Sequence, residues 1–471
     1  MKTTPWGTPR FLAAVLLASG LLKLALAVAV RHHDAILDEG AYLELAQGLA
    51  AGRGFAGTFR PPGYPAFMAF WLWLGAGTLG IRLVQVALSL ASTVLLHRIV
   101  AREAGERAAR VAVLIFAFDP LLVAFSHRLW SETLFIALFL VALDQLLLVA
   151  RAPGWRRVAL TGLVLGASAL VRPMVVTSLP FIGVWFLWNA WRDRGADGLR
   201  LARPVLQTLG LGLACLLVIL PWSARNQRVT GTFILIDSNG PFNFLVGSQP
   251  EARFVDKDDV WSSRYGRVDG QPYTELVLTD AARAQGGAMA QAKANIAADP
   301  AAFLAKCLWE AGHLWTLDSF LLRHLRNGWY GQGLPGWVTP LVTVASAGFY
   351  ALLVLAGLAG LLLDSRPPLS RLAVLLVGQT VLLFGATYAL SRYSLTLHPL
   401  LAFGAAALLT ATGGPLERWR SAARPARAAL VLLLVLVGSG WVRDVPLLGD
   451  MLLRQGAAHR FRMEQAGGPQ P

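Results

Sequence analysis

Apolar runs separated by short, arginine-rich polar tracts repeat along the whole chain. Runs long enough to cross a bilayer as helices cover residues 11–30, 83–100, 111–126, 133–150, 158–171, 174–190 and 205–222. A second set covers 338–363, 372–390, 394–410 and 428–442, which makes eleven expected spans. The run YPAFMAFWLWLGAGTL at 64–79 is ambiguous in length, so the dense arginine tracts must arbitrate. With a cytoplasmic N-terminus, Arg102, Arg107 and Arg110 lie inside only if one net crossing separates Arg31 from Arg98. The run 64–79 is then re-entrant or interfacial. Under this parity Arg151, Arg156 and Arg157 also lie inside, as do Arg192, Arg194, Arg200 and Arg203, and later Arg418, Arg420, Arg424 and Arg427.

The same parity puts three regions outside: the loop 31–82, the turn HRLWSE from His127 to Glu132, and the long polar segment 223–336. Helices over 272–298 and 300–314 make that segment a small, mainly helical extracytoplasmic domain. The expected organisation is an N-terminal transmembrane catalytic module (1–222), the outer domain (223–336), C-terminal transmembrane helices (337–445) and a polar tail (446–471) that an odd span count places outside. The fold class is an all-α polytopic membrane protein.

Composition supports this and removes other classes. The 471 residues are 55% hydrophobic and 15% charged, unlike a soluble domain. The formal charge of +15 sits largely in the tracts between spans, where it signals topology rather than nucleic-acid binding. The two cysteines, Cys215 and Cys307, offer no disulfide framework. Lys2 and Arg10 before a long first apolar core read as a retained signal anchor. Dinucleotide-binding, P-loop and zinc-protease motifs are missing from the sequence. The run Asp256 to Asp259 (DKDD) holds a D-x-D, but on the outer side it reads as a solvated loop.

The first outer loop carries the chemistry. Asp38 and Glu39 are followed by Tyr42 and Glu44, then by GRGFAGTFRPPGYP, in which Gly and Pro turns fix Arg53 and Arg60 ahead of Tyr64. A carboxylate at a membrane surface can take a proton from an incoming hydroxyl or amine. The alternative is that Asp38 and Glu39 favour a helix N-terminal dipole, for roughly 0.3–1 kcal/mol. Further along, Glu132 stands at the outer end of a span, Arg172 at the turn of a span pair, Arg225 just after a span, and Arg392 with Tyr393 in a tight outer turn. Central, unpaired burial of such charges costs about 2.5–3.5 kcal/mol on insertion scales, so they are expected to converge on one face. Arginine suits a phosphate there because its planar fork gives two aligned donors.

These residues carry a resemblance. The run LDEGAYLELAQGLAAGRGFAGTFRPPGYP, with RLVQVALSLASTVLLHRIVARE, FSHRLWSETLFIALFL, GLVLGASALVRPMVV and LPWSARNQRVTGTFILIDSNGPFNFLVGSQP, resembles polytopic GT-C glycosyltransferases of the dolichyl-phosphate-mannose protein mannosyltransferase and aminoarabinose transferase superfamily. The resemblance covers residues 11–250 and, more loosely, the later spans. It implies transfer of a sugar from an undecaprenyl or dolichyl phosphate to a lipid, glycan or protein acceptor on the outer face of a bacterial cytoplasmic membrane. It also implies Asp38 as the catalytic acid with Glu39 as its partner, Arg60 on the donor phosphate, and Glu132 and Arg172 as the later acid and base. Ala41 stands where the aminoarabinose branch has an arginine, which moves phosphate binding onto Arg60, Arg172, Arg225 and Arg392, with Tyr42 and Tyr64 beside them.

In-line attack predicts inversion. No cofactor is required by this reading, and a divalent cation near His32, His33, Asp34 and Asp38 stays open as an alternative. A polytopic lipid or solute transporter is the other functional class; its midplane polar groups would have to be Lys23, Asp119 and Asp144.

Overall fold

The computed structural model describes residues 8–453 apart from 34, 36–37, 153, 193–200, 251–265, 327–329, 331–334 and 365–366. Asp34, the Asp256 to Asp259 run and Arg194 and Arg200 therefore lie outside the described residues, as does most of the polar tail. The chain is helical almost throughout. The N-terminal part holds α1 (Thr8–Ala29), α2 (Asp38–Ala50), α3 (Gly63–Trp73), α4 (Gly77–Ala104), α5 (Glu106–Ala117), α6 (Pro120–Phe125), α7 (Glu132–Arg151), α8 (Trp155–Val171), α9 (Met174–Arg192) and α10 (Ala202–Thr230). Then come α11 (Asn239–Ser248), α12 (Tyr273–Thr279), α13 (Ala281–Ala298), α14 (Pro300–His313) and α15 (Phe320–Arg326). The chain closes with α16 (Val338–Leu363), α17 (Pro368–Ala386), α18 (His398–Leu409), α19 (Gly414–Ser421) and α20 (Arg424–Leu453). The strands among the described residues are a two-residue antiparallel pair, β1 (Arg267–Val268) with β2 (Gln271–Pro272).

Among the described residues, eight helices are long and apolar enough to cross a membrane: α1, α4, α7, α9, α10, α16, α17 and α20. The other three expected runs are helical but short or broken, each for a local reason. The run 111–126 divides into α5 and α6 because Pro120 has no N–H to continue the helix and the Asp119 carboxylate caps the new start, accepting from Leu121 N at 2.9 Å and Leu122 N at 3.3 Å. At 17 residues α8 reaches roughly 25 Å at 1.5 Å per residue. The run 394–410 opens as a 3-10 segment, Ser391–Leu397, before α18, and Ser391–Leu409 meets α19 at 99°, giving a ninth candidate span if that bent pair counts as one. The run 64–79 contains α3, only 11 residues long.

Polar side chains tie the helices together where spacing and charge allow. In the segment between α10 and α16, the expected helix 272–298 splits at Asp280, whose carboxylate caps α13 through Arg283 N at 3.0 Å. Buried Lys306 of α14 donates to the carbonyls of Gly385 and Ala386 at 3.2 Å and to that of Thr387, capping the end of α17. Glu310 accepts from Ala389 N at 2.8 Å beside it. Gly357 permits α16 to lie against α18: a Cβ there would meet the Leu401 carbonyl oxygen at 2.8 Å.

The three polar groups that a transporter would need have such structural partners. Lys23 donates to Ser89 Oγ at 2.9 Å, and Asp119, besides its cap, accepts from or donates to His398 Nδ1 at 2.5 Å. Asp144 pairs with Arg102 at 2.8 Å. Glu103 and Arg151 join the same end of α4 and α7 at 2.7 Å, about 30 Å along α7 from Glu132.

Candidate active site

Asp38 opens α2, behind the loop that carries Arg60. Positive φ at Gly52, Gly54 and Gly57 (74°, 84° and 66°) folds that loop back so that Arg60 faces the start of the helix. Arg60 Nη2 donates to Asp38 Oδ1 at 2.6 Å. Arg392 Nη1 comes from the 3-10 segment near the other end of the sequence and donates to Oδ2, also at 2.6 Å. One carboxylate thus holds two guanidiniums, with about 12% of its side chain exposed. Burial alone would raise the proton affinity of Asp38, but Arg392 and Arg60 outweigh it and hold the carboxyl at about 2.

Aromatic rings seat both cations. Arg60 lies over Tyr42 and Phe59 at 5.6 and 5.5 Å, and Arg392 over Trp130, Phe320 and Tyr393 at 5.0, 5.5 and 5.6 Å. Tyr393 also carries Arg172 on its ring at 5.8 Å, and Arg172 pairs with Glu132 at 2.7 Å. The structure thereby brings Asp38, Arg60, Arg392, Tyr42, Glu132 and Arg172 into one connected cluster. Tyr64 packs edge-on against Tyr42 at 5.1 Å and donates to Gln85 Oε1 at 2.6 Å. Gly63, which starts α3, lies so close to the end of α8 that a Cβ would meet Leu170 backbone at 2.8 Å.

Two expected members point elsewhere. Glu39 turns to the other side of α2, as consecutive helical residues must, and accepts from Leu129 N at 2.8 Å and Arg128 Nη1 at 3.4 Å. Arg225 donates to the carbonyls of Gly57, at 2.8 Å, and Phe55, and stacks on Trp222 at 4.9 Å. It fastens the loop that presents Arg60 and makes no contact with Asp38. Among the described residues no group of three or more His, Cys, Asp or Glu side chains is arranged to hold a metal ion.

Asp237 was not among the expected residues. Ser238 N donates to Thr58 O at 2.9 Å, which fixes the Asp237 turn beside the Arg60 loop. Burial pushes its carboxyl up to about 7, against the opposing pull of the Asn239 N–H and of Arg60. In the sequence it looked like any turn aspartate before Ser-Asn-Gly. Below the cluster, a narrow apolar cleft opens among α7, α8, α9 and α17, lined by Phe135, Phe139, Leu165, Met174, Ile182 and Leu376. Phe135 forms one wall and also lies 5.8 Å beneath Arg172.

Residues 59–223 match the family model of the dolichyl-phosphate-mannose-protein mannosyltransferases. The match takes in Arg60, Tyr64, Glu132 and Arg172. No curated protein matches the sequence. Among solved structures, the chain is similar to ArnT from Cupriavidus metallidurans bound to undecaprenyl phosphate, at 14% identity and a TM-score of 0.46, over 92% of this chain and 65% of that one. It is also similar to the apo state of the same ArnT, at 17% identity and a TM-score of 0.39, over 83% and 77% of the two chains.

Proposed function

We propose that the protein is an integral-membrane glycosyltransferase that moves a sugar from a polyprenyl phosphate, undecaprenyl or dolichyl, to an acceptor on the extracytoplasmic face of a bacterial cytoplasmic membrane. The observation that carries this reading is the double ion pair of Asp38 with Arg60 and Arg392. The family match over 59–223 supports the reaction class. In the proposal, the lipid tail enters sideways along the apolar cleft beside α7 and α9, and its phosphate reaches Arg60, Arg392 and Arg172 at the cleft's polar end. The segment 223–336 is the outer domain that caps this cluster.

The donor phosphate and Asp38 compete for the same guanidiniums. As the phosphate takes Arg60 and Arg392, Asp38 loses the cations that hold its proton affinity down and becomes a base for the acceptor nucleophile. The acceptor oxygen or nitrogen attacks the anomeric carbon, its proton passes to Asp38, the bond to the phosphate oxygen breaks, and the configuration inverts. The arginines stabilise the charge that gathers on the leaving phosphate.

Purified enzyme with a polyprenyl-phosphate sugar tests this. Asp38→Asn is expected to keep lipid-phosphate binding and to lose transfer by a hundredfold or more, about 3 kcal/mol. Undiminished transfer removes Asp38 from the mechanism. Arg60→Ala is expected to weaken use of the donor, and an unchanged donor dependence overturns its phosphate role.

A further inference from the structure

On the side of α2 that carries Glu39, a second group of cations is buried around that one carboxylate. Arg82, in the first turns of α4, and Arg128, in the loop between α6 and α7, are each 3% exposed. Arg82 Nε donates to the His127 carbonyl at 3.0 Å, but its Nη1 has no hydrogen-bond partner among the described residues. Arg128 spends Nη1 on Glu39 at 3.4 Å, while Nε and Nη2 have none. Neighbouring polar atoms extend the group: the Trp130 indole N–H is also buried without a partner among the described residues, and the buried Tyr330 hydroxyl lies beside the Arg128 guanidinium. Arg128 lies over the Tyr330 ring at 4.8 Å, and the rings of His127 and His324 stand 6.2 and 6.3 Å from it.

The charge balance is one-sided. Glu39 is the carboxylate paired with this group, and one of its oxygens is already engaged by the Leu129 N–H. The histidines add no negative charge and respond to the excess: burial, Arg128 and Arg82 hold His127 down to about 3, and burial with Arg128, Arg323 and Arg392 holds His324 well below its ordinary range. Guanidinium and indole groups are donors only, so the missing partner must be an acceptor, and the two buried arginines require it to be an anion.

We propose that Arg82, Arg128 and Tyr330 form a second oxyanion site, separate from the Asp38 centre, for a phosphate or carboxylate group. It lies one ring away from Arg392, since Trp130 contacts Arg392 at 5.0 Å on one side and the His324 ring at 5.6 Å on another. A ligand held there is placed beside the reacting centre without sharing its cations. A lipid headgroup phosphate and free phosphate present the same chemistry to such a site.

The full-length protein in nanodiscs of neutral lipid, with its donor site first saturated by undecaprenyl phosphate, is titrated with inorganic phosphate and, in a parallel arm, with phosphatidate added to the disc. Saturable phosphate binding, weakened at least tenfold by Arg82→Gln and by Arg128→Gln with undecaprenyl phosphate affinity within twofold of wild type, is the expected result. Tighter capture of phosphatidate than of inorganic phosphate identifies a headgroup ligand, and equal capture a free anion. Tyr330→Phe, which removes one hydroxyl and no charge, is expected to weaken binding about threefold and covers the case in which an arginine variant does not fold. Absence of any phosphate binding once the donor site is full, or binding untouched by all three variants, overturns the proposal.

Discussion

Asp38 and Glu39 are neighbours in sequence and opposites in surroundings. Asp38 faces two guanidiniums, and both of its oxygens are matched at 2.6 Å. Glu39 faces a buried loop, is fully buried itself, and pairs with Arg128, whose Nε and Nη2 it leaves unsatisfied. In the first environment both carboxylate oxygens are matched and about 12% of the side chain is exposed, so in the proposed mechanism an arriving anion exchanges with the carboxylate. The second is closed and short of negative charge, so Glu39 acts there as a structural anchor. A pair of acids that reads as a catalytic doublet thus divides, in the proposed mechanism, into one reactive group and one brace, because successive residues of a helix point about 100° apart.

Substitutions can break that contrast. The largest effect on catalysis is expected for Asp38→Asn, whose transfer per folded molecule falls a hundredfold or more in a lipid-phosphate assay. Glu39→Gln should do the reverse. It strips a buried arginine of its anion and lowers stability by about 3 kcal/mol, visible as a drop in melting temperature, with transfer per folded molecule little changed. If both variants lose transfer equally while melting normally, the division of roles fails. Arg225→Ala should be milder, about 1–2 kcal/mol of stability from two lost carbonyl contacts, accompanied by weaker use of donor as the Arg60 loop loosens.

The two acids flanking Arg60 sharpen the contrast through pH. Asp38 is held below the ordinary carboxylate range of about 4, so its contribution to stability is present above that range and is lost as pH falls towards 2. Asp237 is raised to about 7, so the folded state keeps a proton that the unfolded chain releases, and stability declines as pH rises from about 4 to about 7. Melting curves across pH should lose the acid limb in Asp38→Asn and the neutral limb in Asp237→Asn. An unaltered neutral limb in the latter variant would assign it to another group.

Much of this frame is legible in the sequence, since a lipid-facing helix must announce itself by composition. Every apolar run overlaps helical structure, and two of the runs that fell short did so at signals that were present: the proline after Asp119, and the polar Ser391–Leu397 stretch before His398. The convergence of Asp38, Arg60, Glu132, Arg172 and Arg392 followed from the high energy of leaving charges alone near lipid. The partners of each charge did not. Arg225 and Arg60 look equivalent on the page, yet one holds carbonyls and the other a carboxylate. Arg82 stands in an apolar run and Arg128 in a turn, and nothing local distinguishes a buried arginine from one that snorkels. Asp237 depends on a tertiary contact with Thr58 that no spacing rule reports.

The bond between Asp38 and Arg392 joins residues 354 positions apart. During synthesis the amino-terminal helices enter the bilayer long before α18 exists, so the nascent chain carries its acid with half of its clamp. In the proposed mechanism, competence therefore arrives as a late event of biogenesis, when the carboxy-terminal helices dock, and a prematurely terminated product is inserted yet inert.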